Sequence, residues 1–170
     1  GNYAPYTDVT GALPYLVKAD KIAEKPEVPD TEAAKYATTV TCKTVSSAYT
    51  DGVANVNGVS DVYTLKLGTS KLNGKATITL PAGTTEVTYY AVGWKGTSAI
   101  LQFSVAGSVV GTQSLAANTG ATGNSPYTVT VSDSDHYTFS LGTALEADTE
   151  VTVETTGSAY RAIIFGIQAK

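Results

Sequence analysis

The stretch Thr85 to Trp94, TEVTYYAVGW, constrains the fold more than any other part of the chain. It is rich in valine, tyrosine and threonine, and it carries apolar groups on both alternating sides: Val87, Tyr89 and Ala91 one way, Tyr90, Val92 and Trp94 the other. A strand of that kind needs cover on both faces, which predicts a position inside a sheet of a two-layer β structure and not at a rim. The strand then runs into Trp94-Lys95-Gly96, where the only tryptophan meets a turn.

A second stretch has the same property. From Arg161 to Gln168, Ile163, Phe165 and Ile167 alternate with Ala162, Ile164 and Gly166, so this strand is also predicted to be central and to lie near the first. Between and before them the period is two. Strands are predicted at Tyr36–Val45, Val53–Val56, Val62–Leu67, Lys75–Leu80, Ala99–Val105, Tyr127–Val131, His136–Leu141 and around Val151–Val153, with a hairpin through Ala106-Gly107 to Val109-Val110. Asp51-Gly52, Asn57-Gly58, Asn73-Gly74 and Pro81-Ala82-Gly83 supply turn chemistry between them. About nine or ten short strands with no convincing crossover helix argue for an all-β, antiparallel, two-sheet β-sandwich of jelly-roll-like kind. No internal repeat of fixed period points to a propeller or solenoid.

Residues 1–35 differ in composition from 36–170. They hold four of the six prolines and a mixed charge cluster, and they read as an irregular arm, or the remnant of a preceding segment, with helical turns around Lys18–Glu24 and Thr31–Ala37, the latter capped by Asp30. Tyr3, Tyr6, Tyr15, Leu16 and Val17 make the arm too apolar for a free linker. Residues 36–170 are the predicted β-sandwich domain.

Composition narrows the function classes. The net charge is −4 and Arg161 is the single arginine, so the chain lacks the basic footprint of a phosphate-reading, nucleic-acid-binding protein. One cysteine, Cys42, permits neither an internal disulfide nor a thiolate zinc cluster, and it reads as a small core residue of its strand. No apolar run approaches the length of a membrane span. The absence of methionine, with Gly1 at the front, predicts a processed or trimmed product whose signal or anchor would lie upstream.

The run LKLGTSKLNGKATITLPAGTTEVTYYAVGWKGTSAILQFSVAG and the ending RAIIFGIQA carry a resemblance. With their "LKLG" strand, "TLPAGTT" turn, "WKG" corner and terminal "FGI" strand they resemble β-sandwich modules of surface and secreted proteins of gut Bacteroidetes. Those modules are similar in layout to galactose-binding-like and carbohydrate-binding-module jelly rolls. The resemblance covers roughly residues 36 to 170. It implies a secreted or cell-surface location, possible contact with other domains of a longer precursor, and a fold more than a chemistry.

Five residues are candidates for a ligand site. Trp94 offers an aromatic plane for the C–H face of a sugar if exposed, with Tyr90 on its side of the strand; the alternative is that Trp94 closes the core. Asn118 and Asn124 lie in the longest polar connection of the β region, AANTGATGNSP, where an amide can grip a hydroxyl pair or can simply serve a turn. Arg161 opens an otherwise apolar strand, as a structural ion pair or as a clamp on glycan hydroxyls. No resident cofactor is expected. Asp133 and Asp135 could share a calcium ion, but Ser-Asp-Ser-Asp between two strands is first a turn, and His136, the only histidine, has no partners in sequence for catalysis or zinc. Catalytic signatures such as G-x-S-x-G, H-E-x-x-H or a P-loop do not occur, and no pair among Glu86, Glu150 and Glu154 is singled out for glycosidase chemistry. The leading expectation is a non-catalytic extracellular module that binds carbohydrate at one end of the sandwich. The competing one is a structural or adhesive spacer with no small ligand.

Overall fold

A computed structural model describes residues 31–170. The expected helical turn at Lys18–Glu24 and the aromatic residues of the arm lie outside the described residues. In chain order the elements are α1 (Thr31–Lys35), β1 (Thr41–Ser46), β2 (Ala48–Tyr49), β3 (Val53–Val56), β4 (Val59–Tyr63), β5 (Leu65–Leu67), β6 (Lys75–Leu80) and β7 (Glu86–Gly93). Then follow β8 (Ala99–Val105), β9 (Ser108–Leu115), β10 (Ala121–Gly123), β11 (Tyr127–Val131), β12 (His136–Ser140), β13 (Thr149–Thr156) and β14 (Ala162–Ala169). Among the described residues no helix is long and apolar enough to cross a membrane.

The two doubly apolar strands pair with each other. β14 runs antiparallel to β7, with Ile163 opposite Val92, Ile164 opposite Ala91 and Phe165 opposite Tyr90, in the middle of a five-stranded sheet of order β12-β7-β14-β5-β2. One face of this sheet packs on a second five-stranded sheet, β1-β6-β13-β8-β9, and the two make the jelly-roll-like sandwich. Val87, Tyr89, Ala91, Leu65, Leu67 and Ile164 meet Ile78, Leu80, Leu101, Phe103, Val151 and Val153 in this larger core.

The other face of the same sheet is also covered. A four-stranded sheet, β10-β11-β3-β4, lies over it, and Tyr90, Val92, Trp94, Ile163 and Phe165 pack there against Ala54, Val56, Val62, Val129 and Val131. This third layer is what the second apolar face of β7 and β14 requires, since a two-layer sandwich covers only one side of each sheet. Its β3–β11 pairing, Val53 to Val56 against Thr128 to Val131, is parallel, whereas the other strand pairs are antiparallel.

Several boundaries differ from the sequence reading, each for a local reason. The strand expected from Tyr36 begins only at Thr41. Tyr36 instead tucks fully buried against the Tyr90 ring, 5.2 Å away and edge-on, and Thr38 and Thr39 exchange hydrogen bonds with Ile167. Val62 to Leu67 is not one strand, because at Thr64 the chain leaves the third sheet and enters the middle one. In β14 a register shift falls between Phe165 and Gln168. Gly166, at φ 60°, carries the extra residue, and Ile167 thereby crosses to the larger core with Ala162 and Ile164 and leaves the face of Ile163 and Phe165. Cys42 packs against the larger core from edge strand β1, and burial raises its thiol pKa.

Candidate functional site

Lys66 sits between Leu65 and Leu67 in β5 and faces the third sheet, on the side of Trp94. It is only 8% exposed, yet its ammonium is in no ion pair among the described residues. Aromatic rings surround it instead. Its Nζ lies 4.1 Å from the centroid of Trp94, 5.6 Å from Tyr127 and 5.9 Å from Tyr49. The quadrupoles of three rings partly replace the lost hydration of the cation. The replacement is incomplete, since burial first, and then the nearby Arg161 and Lys95 charges, hold the Lys66 pKa below its ordinary value against the opposing Asp51 charge.

Two more cations share the Trp94 ring. Lys95 Nζ is 5.2 Å and Arg161 Cζ 6.0 Å from its centroid. Both are presented by left-handed backbone. Lys95 has φ 44° and Gly96 φ 85°, and Thr97 N–H donates to Trp94 O at 3.1 Å, so the "WKG" corner is a tight turn with lysine at a position that usually takes asparagine or glycine. Arg161 follows Tyr160, at φ 66°, and its N–H donates to Ala159 O at 2.8 Å, closing a three-residue turn of the strained kind. A bulky residue at positive φ persists only where its surroundings hold it.

Of these groups Lys66, Arg161 and Tyr49 border a cleft of about 330 Å³ at the β2–β5 edge of the middle sheet. Tyr49 and Asp51 form one wall, Asn124 and Ser125 the other, and Lys66, Arg161 and the Gly68–Ser70 loop complete it. The walls are tied together. Ser125 Oγ donates to Asp51 Oδ2, and Lys95 Nζ donates to Asn124 Oδ1 at 2.8 Å. Behind them Thr64 Oγ1 donates to Gly52 O at 3.1 Å, which leaves the Tyr127 hydroxyl to donate to Thr64 Oγ1. Gly52 has to be glycine here, because a Cβ on it would lie 2.2 Å from the Tyr127 ring.

The cleft gathers some of the sequence candidates and not others. Asn124 and Arg161 are brought together at it. Trp94 is 1% exposed, its ring edge-on to Tyr127 at 5.2 Å and its Nε1–H buried without a hydrogen-bond partner, so it is a floor beneath the cations and offers no free plane to a sugar. The expectation of an exposed tryptophan platform is corrected by the third sheet that covers it. Tyr90, 5% exposed, lies two residue pairs along the strand from Trp94, stacked between His136 at 4.1 Å and Phe165 at 5.3 Å, and does not border the cleft. Asn118 spends both side-chain groups on the backbone: Nδ2 donates to Thr130 O of β11 at 2.9 Å and Oδ1 accepts from Gly120 N of its own loop at 2.8 Å. Its carbonyl accepts from Gly96 N at 2.7 Å, which braces the turn that carries Lys95.

Tyr49 and Lys66 are the residues that sequence reasoning missed. Tyr49, 41% exposed, is the aromatic group that the cleft does present to solvent. The available signal was a tyrosine set among small polar residues just before Asp51-Gly52, with no apolar alternation to bury it. Away from the cleft, Asp133 Oδ2 accepts from Tyr36 Oη at 3.4 Å, and burial raises the Asp135 pKa. Among the described residues no three His, Cys, Asp or Glu side chains come together as a metal-binding group, so the Asp133–Asp135 pair gains no further ligand of those types.

No family model matches the chain, and no curated protein matches it. Among solved structures it is similar to a family 61 carbohydrate-binding module in complex with β-1,4-galactotriose, at 14% identity over 84% of this chain and 94% of that one, with a TM-score of 0.41. A carbohydrate-binding module from Cellvibrio mixtus lichenase 5A in complex with cellotriose aligns at 13% identity over 81% of this chain and 94% of that one, TM-score 0.40. The catalytic domain of a family 87 α-1,3-glucanase in complex with nigerose aligns at 12% identity over 79% of this chain and 28% of that one, TM-score 0.42. Likeness at this level assigns no ligand to this chain; its own cleft has to carry the functional reading.

Proposed function

We propose that the protein is a non-catalytic, secreted or cell-surface module that holds a carbohydrate in the cleft between Tyr49 and Asn124. The observation that carries this is the exposed Tyr49 ring set beside Arg161, Asn124, Asp51 and Ser125 in one concave site. A sugar presents an apolar C–H face and a ring of hydroxyls, so it needs an aromatic surface with donors and acceptors around it. Arg161 and Asn124 supply donors, and Asp51 supplies acceptors. A cleft of this volume, about 330 Å³, is at the small end of ligand sites and suits one or two sugar units.

The test is a glycan array on the described domain with its upstream arm, followed by titration of any retained sugar. Tyr49→Ala, at an exposed edge position, is expected to lower affinity about ten-fold, the equivalent of roughly 1.4 kcal/mol, with an unchanged melting temperature. Trp94→Phe is expected to alter stability more than affinity. A folded protein that retains no glycan would leave the spacer reading in its place.

A further inference from the structure

We infer that the sugar taken by this cleft carries an oxyanion, a uronate carboxylate or a sulfate ester, seated against Lys66 and Arg161, with Lys95 adding its charge from behind Asn124. The inference rests on the glycan reading above and narrows it to acidic glycans.

The argument starts from charge. The chain as a whole is acidic, at −4, with eleven lysines and arginines in all. Three of those cations, the sole arginine among them, crowd around one indole within 6.0 Å of its centroid. None of the three is in an ion pair among the described residues, where the pairs found are Lys35 with Glu32 and Lys75 with Glu154. One carboxylate, Asp51, borders the same cleft and acts on Lys66 through its charge, while accepting from Ser125. Three like charges with one carboxylate, Asp51, near them leave a positive excess, and an acidic ligand group offsets it.

The backbone supports the same reading. Lys95 stands on a left-handed residue and Arg161 directly after one, so two strained turns aim cations at one place. A structural role would ask only for an apolar side chain over Trp94. An arginine fork fits two oxygens of one carboxylate or sulfate, and the lysines add point charges beside it. Neutral sugars need none of this charge.

The experiment uses affinity electrophoresis and calorimetry with homogalacturonan and its carboxyl-reduced neutral counterpart, and with κ-carrageenan, a sulfated galactan without uronate, and its desulfated neutral form. Because the protein is net acidic, unspecific attraction to a polyanion is disfavoured, and retention reports the local cluster. The expected result is binding to a charged member of a pair at least ten-fold tighter than to its neutral partner, with a further loss of ten-fold or more in Arg161→Gln and a smaller loss in Lys95→Gln. Lys66→Met, which preserves the apolar stem, is expected to weaken acidic binding while the protein stays folded. The uronate and sulfate arms decide which oxyanion is taken. Equal binding of charged and neutral partners, untouched by Arg161→Gln, would overturn the inference and leave the glycan reading standing. Tight binding of polyanions unaffected by all three substitutions overturns the assigned place. Retention of none of these four polymers, together with binding of a neutral glycan on the array, overturns the acidic class; an empty array overturns both readings.

Discussion

The ammonium of Lys66 stands 4.1 Å from the centroid of the Trp94 ring, inside the molecule and, among the described residues, with no carboxylate paired to it. The pairing explains why the only tryptophan is buried and why a lysine can occupy a strand position between two core leucines. Cation–π contact stabilises such a pair by about 2 kcal/mol when desolvated, less than full dehydration of an ammonium costs.

Lys66→Met is therefore expected to leave stability unchanged or raise it by roughly 1 kcal/mol at neutral pH, since an apolar chain of similar length removes the desolvation cost. The pH dependence has a definite sign. The folded-state pKa of Lys66 is held below its ordinary 10.5, so the unfolded chain binds more protons in the window beneath that value, and this residue's contribution to stability rises with pH through it. Urea unfolding of the wild type and the variant across pH 8 to 10.5, read as a difference, should show that rise only in the wild type.

Buried tyrosine acts with the opposite sign. Burial pushes Tyr127 from 10.0 up to about 12, with its hydrogen bond to Thr64 working against the shift. Its contribution is present in full below pH 10 and is lost as the pH rises from there through about 12. Phenolate absorbance should show Tyr127 ionising late and concurrently with loss of the fold. Tyr127→Phe should remove its share of the late step and cost about 1 kcal/mol at pH 7 for the lost hydrogen bond.

Trp94→Ala opens a void beneath the cleft and strips Lys66 of its nearest ring. A loss of about 3–5 kcal/mol is expected for a large buried aromatic, measured by urea unfolding. In the wild type the indole, 1% exposed, should resist acrylamide quenching, and a quenching constant near that of free tryptophan would contradict the covered position.

Gly52→Ala places a methyl group 2.2 Å from the Tyr127 ring, which cannot yield as a flexible chain end would. The expected loss is about 1–3 kcal/mol. Paired with Tyr127→Ala it should be far from additive, because the second substitution removes the clash; an additive double mutant would show that the two do not touch.

How far the sequence discloses this molecule depends on whether a residue's environment is local. β7 and β14 were legible because their apolar groups fall on both sides of the strand, and the structure pairs them at the centre of the middle sheet. The third sheet was not. β10 has three residues, β4 has no alternating apolar face, and nothing near Val53 names Thr128 as its parallel partner. That omission propagated to the site. Lys66 in Leu-Lys-Leu draws no reading of its own, and Trp94 before a turn is open to both an exposed platform and a place closing the core; the added layer buries both residues. Arg161 and Asn124 were legible as unusual residues, although their meeting at one cleft follows only from the chain's path.

The parallel pairing of β3 with β11 also bears on local stability. Asp51 leads into one of these strands and Ser125 into the other, so the two walls of the cleft come from distant parts of the chain and are joined by the smaller of the two cores. Closing so long a loop costs entropy that local hairpins such as β8–β9 do not, and the smaller core has less buried apolar surface with which to offset it. Amide hydrogens of β3 and β11 should then exchange through local opening faster than those of β13, and a bound sugar bridging the walls would slow them selectively.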